Sequence, residues 1–302
     1  MIEAYQQAHN VSLIIQPGDS FFPIVGAIDS AAKSIKMTIF RMNDPIVKDA
    51  LRNAVARSVQ VQILVAIDSK GWIKRNKKLT EELAKLGVEV KAQRADKDQI
   101  KRYHYKFMLV DKSQAMILTF NPTQKNMHYT RDFGVIIRDE EITEELRRLF
   151  DADWNKEKFK PAASPLVISP YNSRERLIKL LKSATHTIRI LDAKMDDTEA
   201  LGVLAKQAAA GIDIKIISGK TDLTNLLPHL EVRKLARYTL HAKCIVVDGK
   251  RFFLGSQNLR AVSLDQRREL GIIIEDDAIA GRIERVFNED WANATEKINN
   301  KR

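Results

Sequence analysis

LHAKCIVVDGKRFFLGSQN, residues Leu240–Asn258, decides the fold, because the chain carries it twice. The other copy is YHYKFMLVDKSQAMILTFN, Tyr103–Asn121. His104 and His241 lie 137 residues apart, and so do Lys106 and Lys243, Asp111 and Asp248, and Asn121 and Asn258. The same offset lays RDFGVII on RELGIII, matching Asp132 with Glu269. It also lays FDADW on FNEDW, matching Phe150 with Phe287 and Trp154 with Trp291. Upstream the offset becomes 153: IIQPGDS (Ile14–Ser20) matches VISPYNS (Val167–Ser173), and SVQVQILV (Ser58–Val65) matches GIDIKIIS (Gly211–Ser218). Self-similarity along most of a chain marks a duplicated structural unit. The first copy carries about 16 extra residues inside a basic stretch. Such an insertion is expected on a surface loop, where it tunes partner choice.

Between the copies, KEKFKPAASP (Lys156–Pro165) reads as a linker from its prolines and small residues. The boundary falls near residue 160, giving an N-terminal lobe 1–160 and a C-terminal lobe 161–302. In the first lobe SLIIQ, SIKMTIF, VQVQILV, KFMLV and FGVII read as strands, with helices over Asp44–Arg57 and Leu79–Leu86. In the second, LVI, TIRIL, IDIKII, KCIVV, FFLG and LGIII repeat the strands. Each lobe closes on a helix with an apolar face: Ile142, Leu146, Leu149, Phe150 and Trp154, then Ile279, Ile283, Val286, Phe287 and Trp291. These faces are core. The class is α/β, one layered sheet per lobe with helices outside.

Composition narrows the partners. The 302 residues are 44% hydrophobic and 29% charged, a globular balance. Fifty Lys and Arg against 39 Asp and Glu leave a net +11, which favours anionic partners. The excess is concentrated: Ser69–Lys106 holds 12 Lys and Arg against 5 Asp and Glu. Within it KGWIKRNKK (Lys70–Lys78) sets Trp72 and Ile73 among five basic residues. That mix suits an anionic membrane surface, a phosphate backbone, or simply a solvated helix face. The single cysteine, Cys244, excludes an intrachain disulfide and a cysteine-ligated zinc site, and is expected to be a small buried hydrophobe. No run of 18 apolar residues occurs, and MIEAYQQAHN has no signal-peptide core, so the expected location is cytoplasmic or peripheral to a membrane.

Side chains alternate along an extended strand, so His104 and Lys106 share a face, as do His241 and Lys243. On the next strand Thr119 and Asn121 share a face, as do Ser256 and Asn258. Two such sets joined by a pseudo-twofold make a pocket with two imidazoles and two ammoniums. Fixed ammoniums and amide or hydroxyl donors suit the oxygens of a phosphodiester. Two imidazoles suit a displacement with one nucleophile and one acid. Among six histidines only His104 and His241 align between the copies.

These residues resemble the signature of the phospholipase D superfamily: HxK, four residues, D, six residues, GSxN. The second copy fits throughout with His241, Lys243, Asp248, Gly255, Ser256 and Asn258. The first fits at His104, Lys106, Asp111 and Asn121 but has Leu118 for the Gly and Thr119 for the Ser, so the local backbone approach is expected to differ there. The resemblance implies two pseudo-twofold lobes, each a mixed sheet flanked by helices, with the active site at their interface. It implies a two-step mechanism without metal or cofactor, through a phosphohistidine. His104 is then the nucleophile and His241 the acid/base. Lys106, Lys243, Asn121 and Asn258 hold the phosphoryl oxygens, assisted by Thr119 and Ser256. Asp132 and Glu269, each 28 residues after a histidine, accept from an imidazole N–H and fix its tautomer. Asp111 and Asp248, at strand ends, stabilise the lobes.

The substrate read from this resemblance is a phospholipid at an anionic membrane surface, cleaved or transferred at its phosphatidyl group. The alternative is a nuclease of the same superfamily acting on DNA or RNA. Aromatics at 7% offer no interleaved platform for stacking single-stranded bases. Both copies are in one chain, so a monomer suffices and no obligate protein partner is implied.

Overall fold

The computed structural model describes residues 10–68, 71–95, 100–219 and 230–296. The N-terminal segment, Ser69 and Lys70, and residues 96–99 of the basic stretch lie outside the described residues. The first sheet contains β1 (Val11–Gln16), β2 (Ser34–Ile39), β3 (Gln60–Ala66), β4 (Glu89–Gln93), β5 (Phe107–Val110), β6 (Gln114–Leu118) and β7 (Thr130–Ile137). Its order is β1-β7-β6-β5-β2-β3-β4. β2, β3 and β4 run parallel and the other neighbours antiparallel, so the sheet is mixed. The second contains β8 (Leu166–Ser169), β9 (Thr187–Asp192), β10 (Asp213–Ser218), β11 (Glu231–Lys234), β13 (Lys243–Val247), β14 (Arg251–Gly255), β15 (Glu269–Glu275) and β16 (Thr295–Glu296), while β12 (Thr239–Leu240), between β11 and β13 in the chain, joins the first sheet. From β8 through β15, β14, β13, β9 and β10 to β11 it repeats the first sheet's order, with β16 added at the edge. β12 leaves its own lobe and pairs with β7 of the other.

Parallel neighbours need a crossover, and here it is a helix. Pro45–Ala56 joins β2 to β3 and Thr198–Ala209 joins β9 to β10. Asp44 caps the first by accepting from the amides of Ile46 and Val47, and Asp197 caps the second by accepting from Ala200. These caps are again 153 residues apart. Such helices cover the outer face of each sheet and build two separate outer cores. The inner faces and both closing helices, Glu140–Asn155 and Asp277–Ala292, share one central core. Phe150 stacks on Trp154 and Phe287 on Trp291, as the apolar faces predicted. Cys244 is buried in this core, and burial pushes its thiol well up.

Some elements were not legible. β4 (EVKAQ) is a mostly exposed edge strand, and β6 (QAMIL) has one β-branched residue. The third helix begins at Ile73, not Leu79, because its first turns are exposed and basic and carry no apolar period. Asn76 anchors that turn, donating to the carbonyls of Phe40 (2.8 Å) and Ala66 (2.6 Å). Leu118 keeps the register of its counterpart. Gly255 faces Gly271, where a Cβ would meet the facing Cα at 2.5 Å; Leu118 faces Gly134 and fills the space above it. One glycine per pair is enough.

The lobes are joined by exchanged charges. Arg131 on β7 grips Asp290 on the other lobe's closing helix at 2.6 and 3.0 Å. Its repeat equivalent, Arg268, reaches Asp153 at 3.0 Å, and Asp153 also accepts from the Tyr105 hydroxyl. All four charges are buried. Removing one partner of such a pair strands the other in a low dielectric and costs about 3–5 kcal/mol. Arg131→Met is therefore expected to lose about that much stability in urea unfolding, and Arg131→Met with Asp290→Leu to recover most of it. A single variant as stable as the parent would show that the pair does not hold the lobes.

Candidate active site

His104 and His241 each sit where their chain enters a central strand, two residues before the strand's first ammonium. Each is tied to the other lobe by its backbone. The His104 amide donates to the Arg268 carbonyl at 2.8 Å, and the His241 amide to the Arg131 carbonyl at 3.2 Å. Tyr103 bridges Arg268 just as Leu240 pairs with Arg131. This places each imidazole against the other lobe's acid. His104 Nδ1 lies 2.8 Å from Glu269 Oε2, and His241 Nδ1 lies 2.9 Å from Asp132 Oδ1. Both carboxylates are fully buried. The pairing is crossed: the acid 28 residues after each histidine serves the other one.

The other expected residues gather around this gap. Lys106 Nζ is 3.3 Å from His104 Nε2 and donates to the His104 carbonyl; Lys243 Nζ donates to the His241 carbonyl. Burial pushes Lys106 down to about 7, against the pull of Glu269, and lowers Lys243 against Asp132. Asn121 is buried, and its Oδ1 has no hydrogen-bond partner among the described residues. Asn258 donates to Asp192 Oδ1 at 2.5 Å.

Thr119 and Ser256 are held by neighbouring strands. The Thr119 hydroxyl donates to Asp132 at 2.6 Å and accepts from the Phe133 amide; the Ser256 hydroxyl accepts from the Leu270 amide at 3.0 Å. Both side chains are fully buried, with their hydroxyls engaged by Asp132 and by the Leu270 backbone. Asp111 and Asp248 lie at the far ends of β5 and β13. Asp111 accepts from the amides of Ala32, Lys33 and Ser34, and Asp248 from Thr185, His186 and Thr187. They tie the turns before β2 and β9.

The two halves of the site are not electrostatically equal. Asp132 accepts from His241, Thr119, Thr130 and Asn126. Burial works against its charge, but His241, Lys243 and Thr119 outweigh it and hold the carboxyl below its usual range. Glu269 has His104, the Ser256 hydroxyl and, at 3.8 Å, Arg267. Burial pushes it up to about 7 despite Lys106. Burial and the surrounding cations, Lys106 first, hold His104 far below the usual imidazole range. His241 is lowered too, but Asp132 resists the shift. His104 is thus the poorer holder of a proton. Phe40 packs edge-on to His104 at 4.6 Å, and its repeat counterpart is the small Ala193.

Sequence reasoning missed Arg131, Arg268, Asp153 and Asp290, although all four align at the 137-residue offset. It also missed Asp192, pushed up to about 6 by burial against the amides of Lys194 and Leu259. No repeat signal marks Asp192, because Ile39 stands at its equivalent position.

Comparison with known proteins gives the family and the fold. The family model for cardiolipin synthase, PLD-like domain, matches residues 24–154 and 177–291. The chain belongs to the phospholipase D superfamily. It is 25% identical over 291 residues to the polyphosphate kinase of Vibrio vulnificus (strain YJ016), covering 85% of this chain and 40% of that protein. It is 32% identical over 123 residues to the phospholipase D of Rickettsia conorii, covering 40% of this chain and 57% of that one. The chain therefore spans about two fifths of the polyphosphate kinase and just over half of the phospholipase D. In fold it is similar to the phosphatidylserine synthase of Haemophilus influenzae Rd KW20, with a TM-score of 0.77 at 13% identity over 96% of this chain and 88% of that one.

The raised acid sets a stability test. An unfolded glutamate releases its proton near pH 4.3, whereas folded Glu269 holds it to about 7. The stability from that buried neutral carboxyl is full below about pH 4.3 and is lost as pH rises through 7. Glu269→Gln removes the loss. Its urea midpoint is expected to gain on the parent's between pH 5 and pH 8; a difference independent of pH would mean Glu269 ionises normally.

Proposed function

We propose that this chain is a phosphodiesterase that hydrolyses or transfers a phosphatidyl group through a phosphohistidine on His104. The observation that carries the reading is the crossed pair of buried imidazoles, each backed by a carboxylate and flanked by an ammonium. With its Nδ1–H donating to Glu269, neutral His104 presents the Nε2 lone pair to phosphorus. The P–N bond forms as the bond to the leaving oxygen breaks, and that oxygen takes the Nε2 proton of His241. His241 then takes a proton from water or an alcohol, whose oxygen attacks phosphorus and returns the bonding pair to His104. Asp132 stabilises the imidazolium on His241 in both steps. General acid–base transfer of this kind contributes about 10²–10⁴-fold.

Lys106, Lys243, Asn121 and Asn258 hold the non-bridging oxygens. Thr119 and Ser256 act as positioning groups, the first on Asp132 and the second on the strand that carries Glu269. A phosphate anion entering the gap restores the ammonium charge that burial has weakened.

The lipid reading draws support from the rim beside His104. Trp72 is flanked by Arg41 and Arg75, each 5.2 Å from its ring, and Ile73 is 46% exposed next to Lys74 and Arg75. An exposed apolar residue among cations suits an anionic bilayer surface. Among the described residues no helix is long and apolar enough to cross a membrane. The site is completed within one chain, so a monomer suffices.

The test is purified protein in EDTA with a chromogenic phosphodiester, phosphatidylglycerol and cardiolipin vesicles, and single-stranded DNA. Headgroup release is expected, with a bell-shaped pH profile from the coupled histidines. His241→Ala should trap an acid-labile phosphorus adduct, and His104→Ala should form none. A flat profile, or an adduct that survives His104→Ala, sinks the mechanism; cleavage of DNA in place of lipid moves the substrate to nucleic acid.

A further inference from the structure

The repeat allows position-by-position comparison of the two lobes, and their surfaces part company at the end that carries the gap. Five large hydrophobic side chains are exposed among the described residues: Phe22, Ile46, Ile73, Tyr129 and Tyr171. Each flanks a strand at the same end of its sheet. Phe22 opens the helix after β1, whose last residue, Gln16, faces Asp132. Ile46 and Ile73 lie in the first turns of the helices after β2 and β3, which run parallel, and Thr38 of β2 faces Phe107 just beyond His104. Tyr129 ends the short helix Gln124–Tyr129 before β7. Tyr171 follows β8, whose Ser169 faces Glu269. Asp132, His104 and Glu269 mark this as the end where the imidazoles sit. At the opposite end no large hydrophobic side chain is exposed among the described residues.

Four of the five belong to the first lobe. Phe22, Ile46 and Tyr129 have Glu175, Glu199 and Gln266 as their equivalents in the second. There Glu199, Asp197 and Asp265 hold Arg174 at 3.0, 2.7 and 2.6 Å, so the surface is polar and ion-paired. On the first lobe Phe22 is 69% exposed with the Phe21 ring at 4.7 Å, and Tyr129 is 66% exposed. Lys125 stands one turn before Tyr129, and Lys74, Arg75 and Lys77 follow Ile73, all exposed. The acids at this end are held by backbone amides: Asp19 accepts from Ile15, Asp44 from Ile46 and Val47, and Asp68 from Ala95. Exposed apolar side chains gathered on one face mark an interaction surface. From β1 to β3 the row crosses five strand spacings, about 24 Å. Protruding side chains in a row that long meet a flat surface in full, and a single peptide or base only in part.

We propose that the site-bearing end of the first lobe docks on an anionic bilayer. Phe22, Ile46, Ile73 and Tyr129 enter the boundary between headgroups and acyl chains, and Lys74, Arg75, Lys77 and Lys125 lie in the phosphate layer. The second lobe, with Glu175 and Glu199 in the equivalent places, stands off the surface. This deepens the lipid reading and rests on it for what enters the gap. Apolar and aromatic side chains divide from cations in this way at a membrane interface. The histidines are at the docked end, so a lipid phosphate reaches them from the headgroup layer.

Co-sedimentation of the full chain with vesicles tests this without turnover. Mixed phosphatidylglycerol and phosphatidylcholine vesicles stand beside pure phosphatidylcholine, and single-stranded DNA is titrated separately. The parent is expected to prefer the anionic vesicles by about tenfold or more. Phe22→Glu with Ile46→Glu and Tyr129→Gln, which gives the first lobe the second lobe's residues, should weaken that binding by about tenfold or more. Lys74→Gln with Lys125→Gln should narrow the preference for anionic vesicles. Glu175→Gln with Glu199→Gln, at the mirrored positions, should not weaken binding. Thermal unfolding confirms that each variant is folded, and the triple variant should cleave the soluble chromogenic phosphodiester at the parent's rate. A parent that binds neither vesicle, or both equally, overturns the proposal. So does vesicle binding that survives the triple substitution, or a preference unchanged in the lysine variant. DNA binding in place of vesicle binding, lost in the triple variant, also overturns it and moves the face to nucleic acid. Failed docking with the soluble diester still cleaved leaves the phosphohistidine reading standing. Docking by a parent that cleaves no diester leaves the bilayer face standing and sinks that reading instead.

Discussion

Each histidine needs a carboxylate that its own lobe does not supply. His104 is completed by Glu269 and His241 by Asp132, both acids lying where water does not reach. A lobe alone would bury an acid without its imidazole and expose an imidazole without its acid. Desolvated charges are tolerated only when paired, so the crossed pairs make each lobe a requirement of the other. The same short segments carry the structural links. Arg131 and Asp132 are consecutive, as are Arg268 and Glu269. In each case one residue grips the opposite closing helix while the next orients the opposite histidine. The residues that join the lobes and those that complete the candidate site are therefore adjacent in the chain.

Duplication supplies the symmetry, and small substitutions make the two halves electrostatically unequal. Thr130 and Asn126 surround Asp132 with donors, keeping it charged and making His241 the better proton carrier. Glu269 lacks such a cage, and Phe40 closes over its histidine. Asp192 supports Asn258 in one half, where the other has Ile39 and leaves the Asn121 carbonyl oxygen without a partner among the described residues. The proposed displacement uses one neutral imidazole and one charged one, and these neighbours make the two unequal.

The family relation and the geometry constrain different things. Membership in the phospholipase D superfamily accounts for the paired motifs and the mixed sheets. The relatives carry names as different as polyphosphate kinase and phospholipase D. The two halves differ at the rim, where Arg102 and Arg267 stand opposite Thr239 and Thr130, while Arg41 has the like-charged Lys194 as its counterpart.

The residues alone determined the duplication, the α/β class, the order of the main strands and the chemistry-bearing set. Each of these is written in local pattern: period-two strands, apolar helix faces, and motifs repeated at constant offset. Edge strand β4 and the basic turns opening at Ile73 escaped notice because exposed positions carry no hydrophobic period. The inter-lobe ion pairs were marked by the repeat but could not be joined, since an offset says which residues are equivalent and not which ones touch. Only the tertiary structure decided that the acids cross over, that Thr119 hydrogen-bonds Asp132, and that Arg131 and Arg268 reach the opposite closing helices. Those are contacts between segments more than a hundred residues apart or orientations set by packing, and no spacing along one chain encodes which face of a sheet will meet the other.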